Sequence, residues 1–133
     1  MSHTYHTNNN IVFLCRYHVI FSTKYRAAIL EGEIATELEA LILDQATLHD
    51  VRLLENAVMP DHVHILVDID PQFGICKFVK QLKGYTSRLL RKQFPKLRKM
   101  PSLWTNSYFV TTLSDIDTQA VTRYIKSQKL NHK

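Results

Sequence analysis

Three glycines in 133 residues leave no glycine-rich phosphate loop, which excludes nucleotide-driven chemistry of the Walker type. No apolar run approaches the roughly 20 residues that span a bilayer, and the polar opening Met1–Asn10 carries no signal-peptide pattern. Cys15 and Cys76 are far apart, without C-x-x-C spacing. Two buried free thiols in a reducing cytoplasm are therefore expected, rather than a disulfide. The last shortage is local: between Pro71 and Ser114 there is no Asp or Glu, while Lys77, Lys80, Lys83, Arg88, Arg91, Lys92, Lys96, Arg98 and Lys99 all fall there. A charge run often means only a solvated helix face. With no compensating acids, it also suits a polyanion, whose phosphates supply sequence-independent affinity.

What is present describes one folded α+β domain over 1–133, with 1–9 a loose tail. Hydrophobic content of 45% and charged content of 22% are those of a chain with a core. Ile11–Phe21 reads as a long strand, with Val12, Leu14, Arg16, His18 and Ile20 on one side. His18 on that side reads as a hydrogen-bonded core histidine or a functional group. Ser22–Arg26 turns the chain, offering Lys24 and Arg26 to a phosphate or to solvent. Glu33–His49 is helical, with Ile34, Leu38, Leu41, Ile42, Gln45 and Leu48 in one stripe. Strands at Val51–Met59 and His62–Ile69 follow, separated by the Pro60-Asp61 turn. Gln72–Phe94 is a second helix with Lys80, Lys83, Arg88, Arg91 and Lys92 outside its apolar face. Gly84 within it costs about 1 kcal/mol against Ala, which suggests a close approach of another backbone. Trp104 ends a basic loop and either stacks on a base or caps the core. After a strand at Ser107–Thr112, Ser114 and Asp117 have capping-box spacing for a last helix reaching Asn131. The order is βαββαβ plus a helix: a ferredoxin-like antiparallel sheet with two helices on one face.

The chemistry gathers at Met59–Asp68. Period two puts His62, His64, Leu66 and Asp68 on one strand face and Val63, Ile65, Val67 and Ile69 on the other. The β-branched set suits the helix-covered core, so the histidines face the open side. Their Cα atoms are about 7 Å apart, close enough to converge on one divalent ion. In the last helix Tyr124 and Gln128 are one turn apart on the same face. The phenol is either a nucleophile or a packing aromatic, and the amide oxygen is a possible third ligand.

Pro60-Asp61-His62-Val63-His64 and Tyr124-Ile125-Lys126-Ser127-Gln128 resemble the single-tyrosine HUH transposases of the insertion-sequence 200/605 group. Tyr17–Phe21 with Lys24-Tyr25-Arg26, then Leu82-Lys83-Gly84, Leu103-Trp104 and Ser107-Tyr108, resemble the same group in the same order. The resemblance implies that His62, His64 and Gln128 hold one Mg²⁺ or Mn²⁺ and that Tyr124 attacks a scissile phosphate in single-stranded DNA. It implies a 5′-phosphotyrosine, a free 3′-OH and rejoining without a nucleotide cofactor. It further implies recognition of imperfect DNA hairpins at the element's ends, by a homodimer whose sites take Tyr124 from the neighbouring chain. Other readings stay open: a host-adopted relative that cleaves repeated chromosomal hairpins, a non-catalytic nucleic-acid-binding module, and a zinc hydrolase. The binding module leaves His62, His64, Tyr124 and Gln128 unexplained. The hydrolase needs a third ligand, for which Asp61 and Asp68 are the near candidates.

Overall fold

The computed structural model describes residues 5–7 and 11–131. Its elements are β1 (His6–Thr7), β2 (Val12–Phe13), β3 (Arg16–Ser22), α1 (Gly32–Leu48), β4 (Arg52–Val58), β5 (His62–Asp68), α2 (Ile75–Gln93), β6 (Phe109–Thr112) and α3 (Asp115–Asn131). Short 3-10 turns lie at Lys24–Arg26 and Pro95–Lys99. The main sheet has the order β4-β5-β3-β6 with every neighbouring pair antiparallel.

The βαββαβα succession read from the sequence is present; several boundaries differ. The expected strand Ile11–Phe21 is interrupted at Leu14-Cys15, leaving β2 to pair with β1 as a separate ribbon. His6–Thr7, expected in a loose tail, therefore forms a strand, while residues 1–4 and 8–10 lie outside the described residues. At the break the Cys15 amide donates to Asp68 Oδ1 at 3.2 Å, and the Ile69 amide donates to the Cys15 carbonyl at 2.9 Å. The second helix begins at Ile75 rather than Gln72. Asp70 captures the Gln72 amide on its side chain (2.7 Å) and the Gly74 amide on its carbonyl (2.9 Å). Gly74 then turns into the helix at φ 92°, a region open to glycine.

The two sheet faces are unlike. Val19 and Phe21 of β3 with Val63, Ile65 and Val67 of β5 pack beneath Ile34, Leu38 and Ile42 of α1 and Phe78, Val79 and Leu82 of α2. The α1 stripe is as read except at its end, where Ala46 is buried and Leu48 is 71% exposed. The opposite face carries α3 over a small cluster of Ala57, Met59, Leu66 and Ile125, edged by Leu54, Leu113 and Val121. A bulge between Leu53 and Glu55 breaks the alternation of β4, so Glu55 pairs with Leu66 and shares its face. There it meets Lys126 Nζ at 3.5 Å and Lys129 Nζ at 3.7 Å, tying β4 to α3. Ser114 and Asp117 form the expected reciprocal cap: the Asp117 amide donates to Ser114 Oγ at 3.1 Å, and the Ser114 amide to Asp117 Oδ2 at 3.5 Å. Among the described residues no helix is long and apolar enough to cross a membrane. Both cysteines are free, but neither is fully buried: Cys15 is half-buried, and Cys76 on α2 is exposed.

Candidate functional site

The alternation of β5 places His62 and His64 on the α3 side, as the sequence predicts. Their rings stand edge to face with centroids 4.9 Å apart. Each has its Nδ1 engaged. His62 Nδ1 donates to Asp61 Oδ1 at 2.7 Å. Asp61 also accepts from Arg26 Nε (3.1 Å) and Nη2 (3.0 Å) on its other oxygen. This partnership, with the His62 bond the foremost cause, holds the Asp61 carboxyl below the usual carboxylate range. His64 Nδ1 shares a 3.0 Å hydrogen bond with His18 Nε2, the two rings stacked at 5.2 Å. Register accounts for the pairing: His64 sits opposite Ile20 and His18 opposite Leu66, so the histidines are diagonal neighbours on one face. Burial, helped by nearby His62 and His18, pushes the His64 pKa down to about 4. His18 is lowered as well, by burial. His64 is therefore a neutral imidazole at pH 7, the form that can ligate a metal.

The fourth member comes from α3. Ile125, fully buried among Ala57, Met59 and Leu66, fixes the helix rotation. Tyr124, its neighbour, is 51% exposed and turns its ring edge-on to His64 at 5.8 Å between centroids. Gln128 is half-buried one turn further on. This helix folds back on its own sheet, so a single chain brings Tyr124 to the histidines.

The donor set fits a divalent ion. Two imidazoles have Nδ1 anchored, and among the described residues no hydrogen bond engages either Nε2. A metal-bound histidine ordinarily has this arrangement, its second nitrogen fixed by a carboxylate or another polar group. Among the described residues no three His, Cys, Asp or Glu side chains form a metal-holding group. Asp61 is taken up by His62 and Arg26. Asp68 is buried against the Cys15 amide and lies 3.7 Å from Arg52 Nη1. Neither serves the third-ligand role that the zinc-hydrolase reading needs.

The model of the family described as "Transposase IS200 like" matches residues 11–128. The chain belongs to that family. It is 37% identical over 120 residues to the ISDra2 transposase TnpA of Deinococcus radiodurans, covering 88% of this chain and 86% of that protein. It is 32% identical over 117 residues to the transposase for insertion sequence element IS200 of Salmonella typhimurium, covering 86% and 76%. A D. radiodurans crystal structure described as a transposase superimposes with TM-score 0.76 at 38% identity, over 92% of this chain and 97% of that one. The structure of a REP-associated tyrosine transposase bound to a REP hairpin shares the fold, with TM-score 0.60 at 14% identity, over 95% and 74%.

Elsewhere in this IS200-like transposase, the cationic residues read from the sequence divide into two groups. Lys80, Arg88 and Lys92 are exposed along α2. Lys83 and Arg91 instead clamp the loop that follows the helix. Lys83 Nζ donates to the carbonyls of Thr105 (2.6 Å), Asn106 (3.3 Å) and Ser107 (3.4 Å), and burial lowers its pKa. Arg91 Nη2 donates to the Met100 carbonyl at 2.9 Å. Arg26 is committed to Asp61, while Lys24 lies over the Tyr25 ring at 5.5 Å. Trp104 is a core residue and offers no stacking face: it is 5% exposed, edge-on to Phe21, and its Nε1 donates to Thr86 Oγ1 at 3.0 Å. The approach expected at Gly84 is absent within the fold, since a Cβ there meets no atom within 4 Å.

Asp61 gained a role that the sequence did not assign, and His18, read as a hydrogen-bonded core histidine or a functional group, is buried and finds its partner in His64. Asp61 reads as a turn residue, and its adjacency to His62 was the available signal. For His18 the signal was a third histidine on the same side of a neighbouring strand, but only the strand register brings it to His64.

Proposed function

We propose that this transposase cuts and rejoins single-stranded DNA through Tyr124, with His62, His64 and Gln128 holding one Mg²⁺ or Mn²⁺, on a ferredoxin-like frame. The observation that carries this reading is the Tyr124 ring edge-on to His64, which in turn stands edge to face with His62, on the sheet face under α3. When bound, the ion supplies Lewis-acid polarisation of the phosphate oxygens. The chain's own residues do the rest. Asp61 holds His62, and His18 holds the His64 tautomer with the proton on Nδ1, so both Nε2 lone pairs face the site. The Tyr124 oxygen bonds to phosphorus as the phenol proton leaves to solvent, and the P–O3′ bond breaks to give a free 3′-OH. The phosphotyrosine conserves the ester, so the reverse attack by a 3′-OH rejoins DNA without a nucleotide.

The hairpin held by the REP-associated relative supports hairpin DNA as the partner. The homodimer with sites completed in trans belongs to the same proposal. α3 is joined to β6 only by Leu113-Ser114, and its small contact surface would fit a partner's sheet equally well. The test uses labelled single strands from the flanks of the gene, with Mn²⁺, read on a denaturing gel. Tyr124→Phe should abolish the covalent adduct while hairpin binding persists, and a His62→Ala/His64→Ala double variant should lose both adduct and Mn²⁺ binding. An adduct that survives in Tyr124→Phe would move the nucleophile to Tyr85 or Tyr108, which both pack against the opposite core.

A further inference from the structure

The sheet face under α3 does not end at the histidines. Phe109, the first residue of β6, pairs with Ile20 of β3. Directly opposed residues point the same way, and Ile20 alternates with core-facing Val19 and Phe21. Phe109 therefore lies on the α3 side. Its ring stands edge-on to His18 at 6.4 Å between centroids, and His18 in turn stacks on His64. A row of rings thus runs from Tyr124 through His64 and His18 to Phe109, one from each element. His64 and His18 are buried, while Phe109 is 53% exposed on the edge strand. A lone exposed phenylalanine is ordinary. This one borders a cleft.

Beside Phe109 the edge pairing opens. The Thr105 amide donates to the Ser22 carbonyl at 3.0 Å, and Phe109 is opposite Ile20. Phe21 alone therefore spans what Asn106, Ser107 and Tyr108 cover on the facing segment. The excess loops outward and leaves a cleft of about 340 Å³ between Ile20, Ser22, Thr105, Ser107, Tyr108 and Phe109. Lys83 Nζ holds the looped segment by the carbonyls of Thr105, Asn106 and Ser107. The cleft is shaped before any ligand arrives.

Its chemistry selects the occupant. Among the described residues no charged side chain lines it, so a phosphate gains little there. Phe109 offers a flat apolar ring. The hydroxyls of Ser22 and Ser107, which no hydrogen bond engages among the described residues, offer polar atoms. A planar ring with a polar edge matches both, as an unpaired nucleobase does. Ser22 also stands opposite His62 in the β3–β5 register, with Cα atoms about 5 Å apart. The cleft thus begins one strand away from the histidine pair.

We propose that this cleft is a base subsite: it receives an unpaired base beside the scissile phosphate, with Phe109 as the stacking platform. This deepens the transposase reading and rests on it. It adds a protein contact that can prefer one base over another near the cleaved bond.

The test moves a single abasic site along a single strand from the gene's flank, with full-length protein in two assays. Anisotropy in EDTA reads binding without cleavage, and adduct formation with Mn²⁺ maps the cleaved bond. In the wild type, loss of one base within two positions of that bond should weaken binding about tenfold. Phe109→Ala should weaken the intact strand by a similar factor, and the same abasic site should then cost less than twofold more. Phe109→Leu keeps apolar volume over His18 without an aromatic face, and should behave as Phe109→Ala does. Phe109→Trp should keep the wild-type sensitivity. Ser22→Ala with Ser107→Ala should narrow the spread of affinities among the four bases at that position at least threefold. Independent losses at every position would overturn the subsite, and so would wild-type sensitivity in Phe109→Leu, which would assign the ring to packing. Absence of any adduct in the wild type would overturn the transesterase reading instead, while the binding scan would still decide whether the cleft takes a base.

Discussion

The two faces of the sheet use the same strands for opposite purposes. Under α1 and α2, residues from β3 and β5 interlock with helical side chains in a layer that is apolar apart from Gln45 and Thr86. Under α3, one strand register away, four small or medium apolar residues share the face with buried Arg16, His18, His64 and Asp68. Dense apolar packing has few alternative arrangements. A polar face must satisfy each group with a specific partner, and that requirement fixes side-chain direction to within a hydrogen bond. The first face therefore supplies stability and the second supplies aim. The helix over the second face is held by less: one fully buried isoleucine and the paired contacts of Glu55 with Lys126 and Lys129.

The sharpest way to break this contrast is a large-to-small change on each face. Phe78→Ala should cost about 3–5 kcal/mol of global stability in urea unfolding. Ile125→Ala empties a site of comparable burial, but it should chiefly release α3. Amide exchange in 115–131 should quicken and DNA cleavage should fall at least tenfold, while the main urea transition moves by less than about 1 kcal/mol. If both changes shift a single transition equally, the faces are one cooperative unit and the contrast fails.

A smaller effect separates aim from stability within the second face. Asp61→Asn removes the charge that anchors His62 but keeps the turn. It should weaken Mn²⁺ binding by about 10–100-fold, measured by calorimetry, with the urea midpoint nearly unchanged. A normal Mn²⁺ affinity would make Asp61 a turn residue only.

The smallest effect is acid sensitivity of the metal-free protein. His64 has a folded pKa of about 4 against an ordinary 6.5, so between those values the unfolded chain binds more protons. Stability is therefore full above about pH 6.5 and falls as pH drops towards 4, by at most about 1.4 kcal/mol per unit. Asp61, with its lowered pKa, acts in the same direction only at lower pH. His64→Gln should flatten the upper part of this slope in urea midpoints taken at pH 7, 5.5 and 4.5. A slope unchanged by the substitution would assign it to another group.

Much of the first face was legible because it depends on periodicity alone. The α1 stripe and the inward set Val63, Ile65 and Val67 follow from 3.6- and 2-residue repeats. So did the direction of His62 and His64, and the cap at Ser114 and Asp117 is a local spacing. What escaped depends on relations between distant segments. The diagonal of His18 with His64 is set by strand register. The bulge at Leu53–Glu55, which brings Glu55 under α3, breaks the alternation on which sequence reading relies. The lysine and arginine run shows the same limit: one sequence pattern covers both the exposed Lys80 and the carbonyl-bound Lys83, and only the path of the following loop separates them.

The position of α3 makes its length a measuring rule. The helix starts beside β6 at one edge of the sheet and packs on β4 at the other edge. Three strand spacings amount to about 14 Å, and the ten helical steps from Asp115 to Ile125 rise about 15 Å. The traverse and the helix segment match, so Ile125 reaches Ala57 and Leu66 at the β4–β5 side, and its neighbour Tyr124 faces His64 with its rotation already set. A single residue inserted between Ser114 and Tyr124 would turn the phenol by about 100° at the cost of one helical step. The seventeen-residue helix thus tolerates changes of side chain on its outer surface far better than any change in the count of residues before its tyrosine.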